Sequence, residues 1–215
     1  MSARPAAERR EELIALMREM QQQHECPLIA TRTKLVFGAG NADADLMFVG
    51  EAPGFYEDQH GLPFVGRAGK LLDQLLIEIG LRREDTFVSN CLKCRPPDNR
   101  DPLPDEIEVC KPYLLRQIEL IEPKVVCTLG NFSLKLLTRS NTGITRVHGV
   151  SQEHELGGRN VKLYPLFHPA AALRGAAVLE QLREDMGRLP ALLAEPEPEQ
   201  PNPPPEPASQ LDLFG

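Results

Sequence analysis

Four short apolar runs, each set off from the next by a stretch of helical periodicity, constrain this chain more than any other feature. The runs cover residues 46–49, 86–90, 124–129 and 161–167. Runs this short and this apolar are the pattern of strands covered on both faces. Between them, Leu71, Leu72, Leu75, Leu76 and Ile79 form the buried stripe of a helix over about 67–79. Further helices are expected at 105–121, 131–138 and 169–187. Leu13, Leu16, Met17 and Met20 mark an amphipathic helix over 5–22. Strands alternating with helices predict an α/β fold, a three-layer α/β/α domain on a mainly four-stranded parallel sheet. Ligands of such sheets sit at the carboxyl ends of the strands. The turn after Val49, the loop after Asn90 and the residues after Phe167 are therefore the places to inspect.

Composition agrees with one domain over residues 1–190. Hydrophobic residues make up 41% and charged residues 26% of the 215, which suffices for a core. No apolar run reaches the roughly 18 residues of a membrane span. The early arginines Arg4, Arg9 and Arg10 are not followed by the apolar stretch of a signal peptide. Five cysteines, an odd number, suit a reducing compartment better than a disulfide framework. A cytoplasmic monomer that does not engage membranes is expected. The net charge of −7 is unevenly placed: residues after 190 hold five acids and no Lys or Arg, leaving −2 for residues 1–190. A near-neutral body can still carry a local basic groove, so nucleic acid remains a possible ligand.

The three strand ends carry polar and turn-forming residues. The first has Glu51 in the turn Gly50-Glu51-Ala52-Pro53-Gly54, then Glu57-Asp58 and Gly61-Leu62-Pro63-Phe64-Val65-Gly66. The second has Asn90 and then Cys94-Arg95-Pro96-Pro97-Asp98-Asn99-Arg100, and the third Phe167-His168-Pro169. Singly, each is most simply a turn or cap. Together they place an aromatic ring, an amide and an imidazole at one sheet edge. A planar heterocycle can be stacked by Phe64, read by the Asn90 amide and polarised by His168.

In order and spacing, these three motifs resemble those of the family 4 uracil-DNA glycosylases, over about residues 26–188. The resemblance implies hydrolysis of the N-glycosidic bond of deoxyuridine flipped out of DNA. It implies that Ala52, Gly54, Glu57, Phe64 and Asn90 bind the base and that His168 donates to uracil O2. Family 1 enzymes carry an Asp where this chain has Ala52, so Glu51 and Asn99 become the candidates for positioning water. The alternative is a uracil-DNA binder that does not turn over. A related branch traps DNA through a His in a basic insertion after the middle motif. Residues 98–105 contain neither His nor insertion, so turnover is favoured. His148, in the run Arg146-Val147-His148-Gly149, stands where many relatives have Arg; it is a surface turn residue or a DNA contact.

Cys91-Leu92-Lys93-Cys94, with Cys110 and Cys26, reads from spacing alone as a metal site, with zinc the generic choice. The family resemblance implies instead a [4Fe–4S] cluster on Cys26, Cys94 and Cys110, with the fourth family position occupied by Gln23. His24 is the first substitute ligand and Cys91 the second. Cys127, inside an apolar run, is expected to be core.

Beyond residue 190 the periodicity stops. Seven of the thirteen residues from 195 to 207 are proline, so 191–209 is expected to be an extended linker. The chain then ends in an apolar motif over 210–215. Its Gln210, Leu211, Leu213 and Phe214 resemble the pentapeptide by which bacterial repair proteins bind the DNA polymerase sliding clamp, which makes the clamp an expected partner.

Overall fold

The computed structural model describes residues 5–23 and 25–201. His24 and residues 202–215, with the C-terminal motif, lie outside them. The chain opens with α1 (Ala6–Gln23), then a 3-10 turn at Pro27–Ala30 and the two-residue strand β1 (Ala39–Gly40). Next come β2 (Leu46–Gly50), α2 (Phe55–His60), α3 (Arg67–Glu78), β3 (Thr86–Asn90) and α4 (Pro104–Ile121). They are followed by β4 (Val125–Leu129), α5 (Asn131–Thr138), α6 (Ile144–Val147), β5 (Gln152–Leu156) and β6 (Arg159–Leu166). The short α7 (Pro169–Ala172) and the long α8 (Ala176–Ala194) complete the described elements.

The sheet has the order β1-β3-β2-β4-β6-β5. Its inner four strands are parallel, as expected, and β1 and β5 add antiparallel edges. Those edges escape a search for apolar runs. A strand paired on one side only needs alternate burial, and β5 reads Gln-Glu-His-Glu-Leu with its exposure alternating. Right-handed crossovers put α3 on one face, with the return through α4 and α5 on the other. Accordingly α3 meets α7 and α8, while α1 packs on α4. Every residue of β2, β3 and β4 is buried between these layers.

Register aligns the strand ends. Gly50 pairs with Asn90 and Leu129 with Leu166. Chain leaving β2 goes outward to β3 on one side, and the crossover from β3 returns to β4 on the other, the arrangement that opens a crevice at the carboxyl edge.

Two expectations need correction at the C-terminal end. The single helix over 169–187 is two helices, broken at Leu173-Arg174-Gly175, and the second continues to Ala194. The helix therefore runs past the boundary expected at 190, and the linker expected over 191–209 is not free over its described part, while 202–209 lie outside the described residues. Residues 191–194 are helical, and the next few dock on the sheet. Glu195 pairs with Lys162 at 2.8 Å and Glu197 with Lys124 at 3.7 Å. Asn160 N–H donates to Gln200 Oε1 at 3.1 Å, and Gln200 Nε2 donates back to the Asn160 carbonyl at 2.9 Å. Proline content marks extended backbone, but acidic side chains facing lysines at the amino ends of β4 and β6 decide where that backbone lies.

Candidate active site

Phe64 has φ 53°, a left-handed conformation that is costly for a bulky residue and persists only where surroundings impose it. Two features impose it here. Glu57, on α2, accepts hydrogen bonds from the Val65 and Gly66 amides, both at 2.9 Å. Gly69, in the first turns of α3, lies so close that a Cβ there would overlap the Phe64 carbonyl. The ring is thereby turned back over the end of β2, where Gly50 leaves room for it. A Cβ on Gly50 would stand 2.7 Å from Phe64 Cζ and would collide with Asn90 Oδ1. The Asn90 amide and the Phe64 ring thus flank one missing side chain.

Asn90 ends β3 and is buried. Its carbonyl accepts from the Nζ of Lys93 at 2.8 Å, and that ammonium also reaches Ser89 Oγ at 2.6 Å and Gln117 Oε1 at 2.7 Å. Lys93 is fully buried, and burial pulls its pKa down to about 8. Nothing in the sequence distinguished it from a surface lysine; only packing reveals it as the tie between β3 and α4.

His168 follows β6 and caps α7. Its Nδ1 accepts the Ala170 N–H at 3.0 Å. Burial lowers its pKa to about 4, against a smaller upward pull from the Glu57 carboxylate. The imidazole is therefore neutral at physiological pH, and with Nδ1 an acceptor its proton resides on Nε2. Its ring lies 5.7 Å from that of Phe64, at 29°.

These groups border a cavity of about 500 Å³. Of the residues singled out in the sequence, Glu51, Ala52, Gly54, Glu57, Phe64, Asn99 and His168 line it, whereas Asn90 is not among its lining residues and meets the group only through the space at Gly50 that it shares with the Phe64 ring. Arg100, the last residue of the middle motif, also lines it, as does Arg174, which carried no sequence signal. Glu51 is partly buried, and that burial, followed by the nearby charge of Asp101, raises its pKa. Asn99 has φ 55° and its Oδ1 is held by Arg95 Nε at 2.8 Å. His148 Nδ1 meets Asp185 at 2.7 Å, and its ring packs 4.5 Å from Phe167, so it braces the strand end beside His168.

Away from the cavity, three thiols gather from three elements. Cys26 precedes the Pro27–Ala30 turn, Cys94 follows β3, and Cys110 lies on α4; all three are buried. Cys26 hydrogen-bonds both others, and these contacts, with burial, hold the Cys94 and Cys110 thiols well above their ordinary pKa. Arg32 donates to Cys94 Sγ at 3.1 Å. Cys91 has different neighbours: the charges that act on it are Lys93 and Glu51, and burial pushes its pKa up to about 12. Cys127 is core, as expected. Among the described residues no group of three His, Cys, Asp or Glu side chains is disposed to hold a single metal ion.

A mainly parallel sheet with a cavity at its carboxyl edge is the frame, and sequence comparison gives the class: residues 37–186 match the uracil DNA glycosylase superfamily, to which this chain belongs. Its relatives narrow the placement to the type-4 branch. It is 45% identical over 192 residues to a type-4 uracil-DNA glycosylase of Archaeoglobus fulgidus, covering 87% of this chain and 96% of that one. A type-4 uracil-DNA glycosylase of Thermotoga maritima is 47% identical over 167 residues, 77% of this chain and 85% of its own. That of Sulfurisphaera tokodaii is 45% identical over 177 residues, 80% of each chain.

Proposed function

We propose that this chain is a uracil-DNA glycosylase that hydrolyses the N-glycosidic bond of a flipped-out deoxyuridine, leaving free uracil and an abasic site. One observation carries the mechanism: a buried imidazole whose Nδ1 accepts a backbone N–H, beside an aromatic ring at the carboxyl end of the sheet. Phe64 stacks on the uracil. The Asn90 amide donates to O4 and accepts from N3–H, a pairing cytosine does not match. His168 donates its Nε2 proton in a hydrogen bond to O2, where negative charge grows as the bond to the sugar breaks. A donor so placed in a water-poor site is worth about 3–4 kcal/mol to the transition state. A neutral donor suits this task, because an imidazolium would cost desolvation in every step before the charge appears.

Bond cleavage through an oxocarbenium-like sugar asks little of the nucleophile. Glu51 orients the water and takes its proton, and Asn99 borders the same space. Glu57 serves mainly as a strut, since both Val65 and Gly66 amides are bound to it. Single-turnover release of uracil from an oligonucleotide tests the reading. Asn90→Ala and His168→Ala are expected to lower the rate about 100-fold or more with the fold intact by circular dichroism. Near-parental rates for both variants would remove the pocket assignment.

The three gathered thiols fit an iron–sulfur group. They are soft donors, buried, and accompanied by the Arg32 cation, which offsets thiolate charge. A [4Fe–4S] cluster on Cys26, Cys94 and Cys110, with His24 as the fourth ligand, would supply a structural link between chain segments. Hydrolysis needs no electron transfer. The C-terminal motif adds a tethered contact to the sliding clamp, holding the enzyme near newly made DNA.

A further inference from the structure

Two large aromatic side chains stand exposed side by side at the cavity rim, and neither has a part in the chemistry above. Phe55 and Tyr56, the first residues of α2, are 51% and 59% exposed. Their rings meet edge to face at 5.5 Å and 82°. The Arg95 guanidinium lies 5.3 Å from the centre of the Phe55 ring and is itself fixed through its bond to Asn99. Both ends of the group adjoin the cavity, because Gly54 precedes Phe55, Pro96 follows Arg95, and both line it.

Scattered exposed apolar residues are ordinary. An adjacent aromatic pair, held in orientation and continuous with a binding cavity, is surface that a ligand covers. We propose that Phe55, Tyr56 and Arg95 form a stacking platform for the nucleobase next to the deoxyuridine. The proposal rests on the glycosylase reading, which brings DNA to this rim. When a base leaves the stack its neighbour loses a stacking partner, and an aromatic face at the rim replaces it. Any base can use such a face, so the contact is insensitive to sequence. Arg95 stands over one face of the Phe55 ring, so a base stacks on the other face, and the guanidinium's positive charge suits the adjoining phosphate. Because Tyr56 and Arg95 already fix the Phe55 ring, stacking on it orders little that is not ordered beforehand.

The test uses oligonucleotides with one deoxyuridine whose 5′ or 3′ neighbour is either a normal nucleotide or an abasic tetrahydrofuran. Binding is read by fluorescence anisotropy and cleavage by single-turnover release. For the parent enzyme, removing the neighbouring base on one side is expected to weaken binding on the order of tenfold. Phe55→Ala with Tyr56→Ala is expected to weaken binding of the normal oligonucleotide by a similar factor. Combining the two changes costs no more than either alone, and Phe55→Trp retains the sensitivity. A double variant that loses as much as the parent when the neighbouring base is removed overturns the proposal. So does a parent indifferent to both neighbours. Anisotropy scores the platform whether or not uracil is released, so failure of the proposed activity registers separately.

Discussion

His168 and Glu51 share one cavity, and burial moves their protonation in opposite directions on the pH scale, each toward its neutral form. His168 goes down to about 4 and Glu51 goes up. At neutral pH the imidazole is thus an uncharged donor, while the carboxylate remains available to water until the pH falls to its raised pKa. The acid limb of the single-turnover rate is therefore expected to belong to Glu51. Glu51→Gln lowers the rate and flattens that limb; a variant with an unaltered limb would assign it elsewhere. His168 shapes stability instead. Its folded pKa lies below the unfolded value of about 6.5, so the unfolded chain takes up a proton first as the pH drops. Stability is complete above about pH 6.5 and is lost on the way down to pH 4, by on the order of 3 kcal/mol. His168→Gln should escape that loss, which thermal melts of parent and variant at pH 7 and pH 4.5 will show.

At the level of elements, the fold is a set of tight approaches. Gly50 and Gly69 let Phe64, Asn90 and the chain around them occupy space a side chain would fill. The thiols of Cys26, Cys94 and Cys110 bring the turn after α1, the loop after β3 and α4 to one point. If an iron–sulfur group occupies that point, protein purified without oxygen is brown and contains iron and sulfide. Cys110→Ser then loses the colour and melts several degrees lower, while early-time uracil release at low temperature persists. Colourless, iron-free protein with the parental melting point would sink the cluster. Spacing alone suggested the three cysteines as a group. It did not separate Cys91 from them: Cys91 sits only three residues from Cys94 yet is turned toward the charges of Glu51 and Lys93, a consequence of where β3 ends.

For the whole molecule, the segment docked after α8 stands between the α/β domain and the C-terminal motif in the chain. Its partners Lys124, Asn160 and Lys162 lie at the amino edge of the sheet, opposite the cavity. Chain ended after Pro201 is therefore expected to keep the parental melting point and uracil release but to lose binding to the sliding clamp. Leu213→Ala with Phe214→Ala should lose that binding as completely, from a starting Kd of about a micromolar. Clamp binding that survives either change would show that the tail has another role. Ending the chain after Ala194 removes the docked contacts as well and lowers the melting point by about 2–4 °C for each kcal/mol lost.

The order of the four inner strands and the main helices between them, the parallel inner sheet, and the strand ends near which Glu51, Phe64, Asn90 and His168 gather were legible in the amino-acid sequence. Apolar runs and turn residues are local signals, and a strand's carboxyl end follows from its position in the chain. Lys93, Asp101, Asp185 and the edge strand β5 were not, nor was the docking of residues 195–200. Each of these side chains depends on a partner distant in the chain: Gln117 for Lys93, Glu51 for Asp101, His148 for Asp185, Asn160 for Gln200. Whether a lysine is solvated or is the buried tie of a sheet is decided by what surrounds it. Only tertiary packing, which strips water from one lysine and not from another, makes that choice.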